Sequence, residues 1–148
     1  MQVYRITLEK YAYRLVASGL PNRWNSSHVN IIYASCTRAM VALENIVHRS
    51  GEGLEERFRI ITLEVPENAI DFFSIRQLPE SWFLRKNLTI TQQIGDDWIK
   101  KGTKLGLRVP SAIVPGEYNL LLNPLHQDFE KVKVLSVEPF VFDPRIKS

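Results

Sequence analysis

The chain has 148 residues, of which 45% are hydrophobic and 24% are charged, a balance that is typical of one globular domain and excludes a disordered chain. It has no apolar run of roughly 18 residues that would span a membrane, no apolar segment near its start that would mark a signal peptide, and a single cysteine, which excludes an internal disulfide. We therefore expect one cytoplasmic domain over residues 1–148. The bases behind the net charge of +3 are scattered, which predicts no direct nucleic-acid binding.

The order of apolar and polar residues predicts a domain that combines helices with a sheet. Residues 3–8 alternate in hydrophobicity, residues 29–34 are rich in β-branched and aromatic side chains, and Gly102 is typical of a helix end. The pattern does not determine the order of the strands. The expected elements are strands at 3–8, 29–34, 57–65, 104–109, 118–122 and 131–138, helices at 10–18, 35–48 and 91–102, and a helical turn after Pro79.

The helix predicted at 35–48 carries the most informative acid. Ser35 is a suitable N-cap, and 100° steps along the helix place one broad apolar face on it. Glu44 lies about 40° from Met40 on this wheel, so it flanks the apolar face and does not point away from it. It is either an acid in a cleft or a flanking glutamate that pairs with Arg38 or His48. The predicted apolar face comprises Ala39, Met40, Ala42, Leu43, Ile46 and Val47.

Three further residues offer chemistry, and each also has an ordinary structural interpretation. Arg23 follows a turn, where its guanidinium would present a planar fork to phosphate or would remain a surface side chain. Tyr33 ends a strand, where its ring would face a planar ligand or the edge of the core. Ser111 lies between Pro110 and Pro115, so its hydroxyl is either held in place by a restrained backbone or belongs to a simple turn.

Several other kinds of site have no signal in the sequence. The three histidines, His28, His48 and His126, match no metal-binding spacing, so we expect no metal. The sequence has neither the Gly-x-Ser-x-Gly elbow of a serine hydrolase nor a glycine-rich phosphate loop. Trp82 and Trp98 are expected to lie in the core.

The order of segments along this chain resembles that of the RES domain family, which is named for arginine, glutamate and serine. The resemblance implies a fold like that of the diphtheria-toxin-like ADP-ribosyltransferases, in the α+β class: a single compact domain with a mixed, mainly antiparallel sheet and flanking helices. The family often has glycines beside its arginine, where this chain has Pro21-Asn22 and Ser27-His28. The resembling segments, in family order, are VYRI, RWNSS, IIYAS, ALENIVH, IGDDWI, LRVPSAIVP, NLLLNPLHQDF and FVFDPR.

The resemblance also implies roles for individual residues, because members of this family consume NAD as their substrate and need no other cofactor. Arg23, with Arg5 as a second cation, would clamp the pyrophosphate, and Tyr33 would pack on nicotinamide. Glu44 would stabilise the oxocarbenium-like cation that forms as nicotinamide leaves. Ser111 would bond the nicotinamide amide or a phosphate.

The implied function is that of a bacterial toxin that degrades NAD by hydrolysis or phosphorolysis and arrests growth. One alternative is transfer of ADP-ribose to a protein. Ala42 lies where such transferases often have an acid or a glutamine, two residues before the glutamate, and so favours a small acceptor. Another alternative is a non-catalytic binding domain in which Arg23 and Glu44 form a structural ion pair. The implied partner is an antitoxin with an Xre-like helix-turn-helix domain, in a hetero-oligomer, and no membrane partner is expected.

Overall fold

The computed structural model describes residues 1–146, which form a seven-stranded sheet, two α-helices and several short 3-10 turns. The expected α+β class, with helices flanking a sheet, is confirmed. The strands are β1 (Gln2–Leu8), β2 (Ile32–Ser35), β3 (Phe58–Glu64), β4 (Ile70–Phe72), β5 (Gly106–Pro110), β6 (Tyr118–Leu122) and β7 (Lys133–Phe140), and the helices are α1 (Arg38–His48) and α2 (Leu88–Lys101).

The strand order across the sheet is β4-β5-β6-β2-β1-β3-β7. β4 and β5 are parallel and the other neighbours are antiparallel, which confirms a mixed, mainly antiparallel sheet. β1 pairs with β3 along its whole length, but in the described strands it pairs with β2 only at Tyr4 and Ser35. We call this β1–β2 junction the seam. It divides the sheet into a β4-β5-β6-β2 half and a β1-β3-β7 half.

Both helices cover the same face of the sheet, one on each half. Alternation along the strands places Tyr4, Tyr33 and Ser35 on that face. Trp98 of α2 packs on the first half with Trp24, Trp82, Leu107, Val109 and Leu121. Val41 of α1 packs on the second half with Ile6, Phe58, Ile60 and Phe142. The opposite face carries the third cluster, which includes Val3, Ile32, Ala34, Ile61, Leu63, Leu120 and Leu122.

Most of the predicted elements are present, with shifted ends. The strand at 118–122 and the end of α2 at Gly102, which has a left-handed φ of 61°, are as predicted. The N-cap of α1 is Thr37, whose side chain accepts a hydrogen bond from the Met40 amide at 3.0 Å. Ser35 was the wrong choice because it is the last residue of β2 and its hydroxyl bonds Asn119.

Two further features of local structure differ from the prediction. The helix expected at 10–18 is a 3-10 turn over Glu9–Tyr11 followed by irregular chain. This segment lies against the sheet through Ala12, Leu15 and Ala17, and those contacts override its helical propensity. The short strand β4 was not predicted, because three residues show no periodicity and β4 is defined by its pairing with β5.

The buried face of α1 also differs from the predicted one. Met40 and Val41 are buried, whereas Leu43 and Val47 are exposed. Glu44 is about 40° from Met40 and about 60° from Val41, so it lies between the two buried residues. It therefore points toward the sheet more directly than the sequence indicated.

Candidate functional site

The loop that carries Arg23 runs over residues 19–28 and is held by its own hydrogen bonds. The His28 amide donates to the Gly19 carbonyl at 2.9 Å and closes the loop. Asn25, only 2% exposed, donates its side-chain amide to the carbonyls of Leu20 and Val29 at 2.9 and 3.0 Å. Asn25 therefore organises this loop, although nothing in the neighbouring residues predicted that role.

Tyr33 joins this loop to strand β2. Its hydroxyl accepts a hydrogen bond from the Trp24 amide at 3.0 Å and donates one to Asn25 Oδ1 at 2.5 Å. Burial raises the pKa of Tyr33 above its ordinary value, so the hydroxyl keeps its proton and remains a donor. The hydroxyl positions the backbone beside Arg23, and the packing of its ring on nicotinamide stays a prediction.

Helix α2 holds the other side of the loop. Thr91 donates its hydroxyl to the Arg23 carbonyl at 2.6 Å, and Asp96 accepts from the amide and the hydroxyl of Ser26 at 3.0 and 2.6 Å. The helix approaches so closely because position 95 is glycine: a Cβ there would lie 1.6 Å from the Trp24 carbonyl oxygen. A glycine inside a helix is a sequence signal for such a close approach.

Glu44 reaches from α1 to two donors on the neighbouring strands. Its Oε1 accepts from the Ser111 hydroxyl at 3.0 Å and from Asn119 Nδ2 at 2.6 Å. Asn119 lies in β6, opposite Ser35 of β2, and its Oδ1 accepts from the Ser35 hydroxyl at 2.7 Å. Neither Asn119 nor Ser35 was predicted as a site residue, because their contacts join positions that are 75 and 84 residues apart.

The guanidinium of Arg23 lies near Glu44 but does not pair with it. Burial lowers the pKa of Arg23, and the negative charge of Glu44 opposes that effect. Within residues 1–146, the ion pairs include neither residue, and the buried Nη1 of Arg23 has no hydrogen-bond partner. The structural ion pair considered as an alternative is therefore not formed.

Arg5 lies at the seam. Its Nη1 donates to the Tyr33 carbonyl at 2.9 Å, and burial lowers the pKa of the guanidinium. Alternation in β1 places it on the face of Val3, opposite the helices. The visible contact of Arg5 is thus structural, and its role as a second cation for phosphate stays a prediction.

The structure thus brings the four predicted residues near one another: Glu44 bonds Ser111, Tyr33 bonds the backbone next to Arg23, and the charge of Glu44 acts on Arg23. Among residues 1–146 there is no group of three or more histidine, cysteine, aspartate or glutamate residues arranged to hold a metal ion. Over the same residues, every helix is too short or too polar to cross a membrane.

Comparison with known proteins identifies the group to which this arrangement belongs. The sequence model of the RES domain matches residues 2–143. The chain belongs to the RES domain family. This RES domain is 36% identical over 135 residues to a protein of Photorhabdus laumondii named Toxin Res, covering 88% of this chain and 86% of that protein.

Two further relatives cover most of the RES domain. A Toxin Res of Yersinia enterocolitica is 33% identical over 155 aligned residues, covering 99% of this chain and 100% of that protein. A protein of a Sphingobium strain named Prs ADP-ribosylating toxin is 34% identical, covering 84% of this chain and 79% of that protein. These relatives group this RES domain with toxins.

A solved structure supports the fold. The RES domain superposes on a chain of the M. tuberculosis MbcT-MbcA toxin-antitoxin complex with a TM-score of 0.78, covering 95% of this chain and 84% of that chain. The two sequences are 18% identical, so this similarity establishes the shared fold alone.

Proposed function

We propose that this RES domain protein is the toxin of a toxin–antitoxin pair and that it cleaves the bond between nicotinamide and ribose in NAD. The observation that carries the proposal is that two opposite charges, Arg23 and Glu44, lie near each other without forming an ion pair. The buried Nη1 of Arg23 has no hydrogen-bond partner, and the Glu44 carboxylate accepts instead from the neutral donors Ser111 and Asn119. NAD has the complementary charges, since its pyrophosphate is anionic and its nicotinamide ring is cationic.

The chemistry requires an electrostatic carboxylate more than a proton donor. When the bond between the ribose C1′ and the ring nitrogen breaks, its electron pair stays on the nitrogen and nicotinamide leaves as a neutral molecule. The positive charge moves to the ribose, where a nearby carboxylate stabilises it. An acceptor oxygen then bonds to C1′ and, if the acceptor is water, its proton passes to solvent. Both described hydrogen bonds of Glu44 end on Oε1, which leaves Oε2 available to face this charge.

The structure removes one argument about the acceptor. Ala42 favoured a small acceptor because an acid two residues before the glutamate marks protein transferases. Here Glu44 lies on a helix, where residues two positions apart are about 200° apart and point to opposite sides. Ala42 therefore carries no information about the acceptor. The name of the Sphingobium relative favours transfer of ADP-ribose to a protein as the second candidate.

The test is to incubate the purified protein with NAD and to follow nicotinamide release by chromatography. We expect turnover in the wild type and a loss of roughly 100-fold or more in Glu44→Gln, because such electrostatic groups typically contribute 10²–10³ in rate. Gln retains an oxygen for Ser111 and Asn119, so the fold should persist. Glu52→Gln, at an exposed position after α1, is the matched control. A wild type without nicotinamide release would contradict the proposal, as would equal rates in Glu44→Gln.

The product identifies the acceptor in the same experiment. Free ADP-ribose indicates water, a phosphorylated ADP-ribose that forms only with added phosphate indicates phosphorolysis, and label retained on a protein band indicates transfer. We further propose an antitoxin with a helix-turn-helix domain as the partner. We expect expression of the wild type alone to arrest growth and expression of Glu44→Gln to permit it.

A further inference from the structure

Asn119 holds Glu44 in one defined orientation. A carboxylate only accepts hydrogen bonds, so the amide must turn its NH₂ group toward Glu44 Oε1. Its oxygen then faces Ser35, whose hydroxyl donates to it at 2.7 Å. This is the arrangement in which all three side chains have a suitable partner. Ser35 is buried, so water does not compete for the bond that fixes the amide.

Ser111 uses its full hydrogen-bonding capacity within the protein. A serine hydroxyl has one donor hydrogen and two lone pairs. The hydrogen points to Glu44 Oε1, and the lone pairs accept from the amides of Ile113 and Val114 at 3.0 and 3.1 Å. No capacity remains for a nicotinamide amide or a phosphate. The role expected for Ser111 as a substrate-binding residue therefore conflicts with the contacts it makes.

We infer that Asn119, fixed by Ser35, and Ser111 are positioning residues that hold the Glu44 carboxylate through Oε1 and direct Oε2 to the ribose. The inference rests on the proposed function and adds three residues that act through Glu44. Two donors on one oxygen stabilise the carboxylate and stop its rotation, so its charge is in place before the bond to nicotinamide breaks. Ser35 contributes indirectly, since without its hydroxyl the Asn119 amide is free to turn.

The kinetic test separates positioning from binding. We expect Asn119→Ala to lower kcat about 10- to 100-fold, the range for losing a hydrogen bond to a charged group. The KM for NAD should change little, because Asn119 acts through Glu44. Ser35→Ala should lower kcat several-fold, roughly as for one neutral hydrogen bond, and should add nothing in an Asn119→Ala background. Asn68→Ala, at an exposed position, is the control. An unchanged kcat in Asn119→Ala, or an additive loss in the double variant, would overturn the inference.

A second measurement does not depend on turnover. The side-chain amide of Asn119 gives its own nitrogen–proton signals in NMR, and these report its hydrogen bonds. We expect Glu44→Gln and Ser35→Ala to move these signals and Glu52→Gln to leave them in place. If the Asn119 amide signals kept the same chemical shifts in Glu44→Gln, the proposed hydrogen-bond network would be refuted. If the wild type released no nicotinamide, the proposed function would fail, and this spectrum would still decide whether the network exists.

Discussion

Gly95 fixes the distance between helix α2 and the loop of Arg23. A Cβ at this position would lie 1.6 Å from the Trp24 carbonyl oxygen and 2.7 Å from its carbonyl carbon. Both are backbone atoms, so no side-chain rotation relieves the clash. The loop and the helix therefore remain in register only with glycine at position 95.

Gly95→Ala should accordingly destabilise the protein, although alanine is the better helix former by about 1 kcal/mol. We expect the free energy of unfolding to fall by about 1–3 kcal/mol, as for other overpacked sites. Nicotinamide release should fall as well, because the displaced loop carries Arg23. Denaturant titration and the NAD assay measure the two effects. Lys100→Ala, on the exposed side of the same helix, should leave both unchanged, and a stabilised Gly95→Ala would contradict the contact.

His28 occupies a backbone conformation that glycine prefers. Its φ is 71°, and it belongs to the Ser27-His28 pair that stands where the family often has glycine. Histidine holds this left-handed conformation here, and it is among the side chains that tolerate it better. The amide of His28 still closes the loop on Gly19.

His28→Gly should therefore raise the free energy of unfolding, by up to about 1 kcal/mol, because the relief of the left-handed strain exceeds the added chain entropy. His28→Val should lower it by about 1–2 kcal/mol, since a β-branched side chain tolerates positive φ poorly. Urea denaturation of both variants gives the comparison. If valine proved as stable as glycine, the left-handed conformation would be wrong.

At the scale of single residues, the sequence predicted the charged side chains that belong to recognisable motifs. It did not predict the polar side chains whose roles depend on the partners that they contact in the fold. The family resemblance pointed to Arg23 and Glu44. Asn25, Ser35 and Asn119 were not predicted, because asparagine and serine are common in turns. The partners of Ser35 and Asn119 are distant in the chain, whereas Asn25 bonds Tyr33 eight residues away, and only the folded loop shows that contact. Ser111 was predicted as a site residue, but its hydrogen-bond partners were not.

Helix α1 illustrates the limit of periodicity at the scale of an element. The predicted apolar face included Leu43 and Val47, but Val47 is 50% exposed and Val41, outside that face, is 4% exposed. The helix is rich in small apolar residues on several sides, so hydrophobicity alone does not fix its rotation. Its rotation follows the sheet, where Val41 meets Ile6, Phe58 and Ile60.

This orientation predicts unequal costs for two similar substitutions. Val41→Ala should lower the free energy of unfolding by about 2 kcal/mol, from the lost burial of two methyl groups and the cavity left behind. Val47→Ala should change it by less than about 0.5 kcal/mol, as at most surface positions. Thermal and chemical denaturation measure both. If Val47→Ala cost more stability than Val41→Ala, the buried face of α1 would be the one predicted from the sequence.

Strands were predicted more securely than the segments between them. β3 and β6 are marked by β-branched or leucine runs bounded by proline or turn residues. The irregular chain after Tyr11 and the three-residue β4 depend on tertiary contacts, which local patterns do not contain. The strand order likewise followed from no local pattern.

The seam matters at the scale of the whole molecule because the site lies across it. α1, which carries Glu44, packs mainly on the β1-β3-β7 half. The donors to Glu44 belong to the other half: Asn119 lies in β6, and Ser111 follows β5. Arg5 adds a side-chain bond across the junction, from β1 to the Tyr33 carbonyl.

Arg5→Met tests whether that bond stabilises the junction. We expect the free energy of unfolding to fall by about 1–3 kcal/mol, because the Tyr33 carbonyl loses its partner in a buried place. Arg14→Met, at an exposed position, is the matched control. If Arg5 served mainly as a cation for phosphate, stability would hold and the KM for NAD would rise instead.

The single pairing position at the seam affects the order in which the protein loses activity and folded structure in denaturant. On the helical face each half has its own helix and its own apolar cluster, whereas the cluster on the opposite face spans both halves and joins them. A small rotation of the halves about that shared cluster would leave the strands and the helix of each half in place. The same rotation separates Glu44 from Asn119 and Ser111. Inactivation and unfolding are then distinct events: as urea is raised, nicotinamide release should disappear at a lower concentration than the circular dichroism of the sheet.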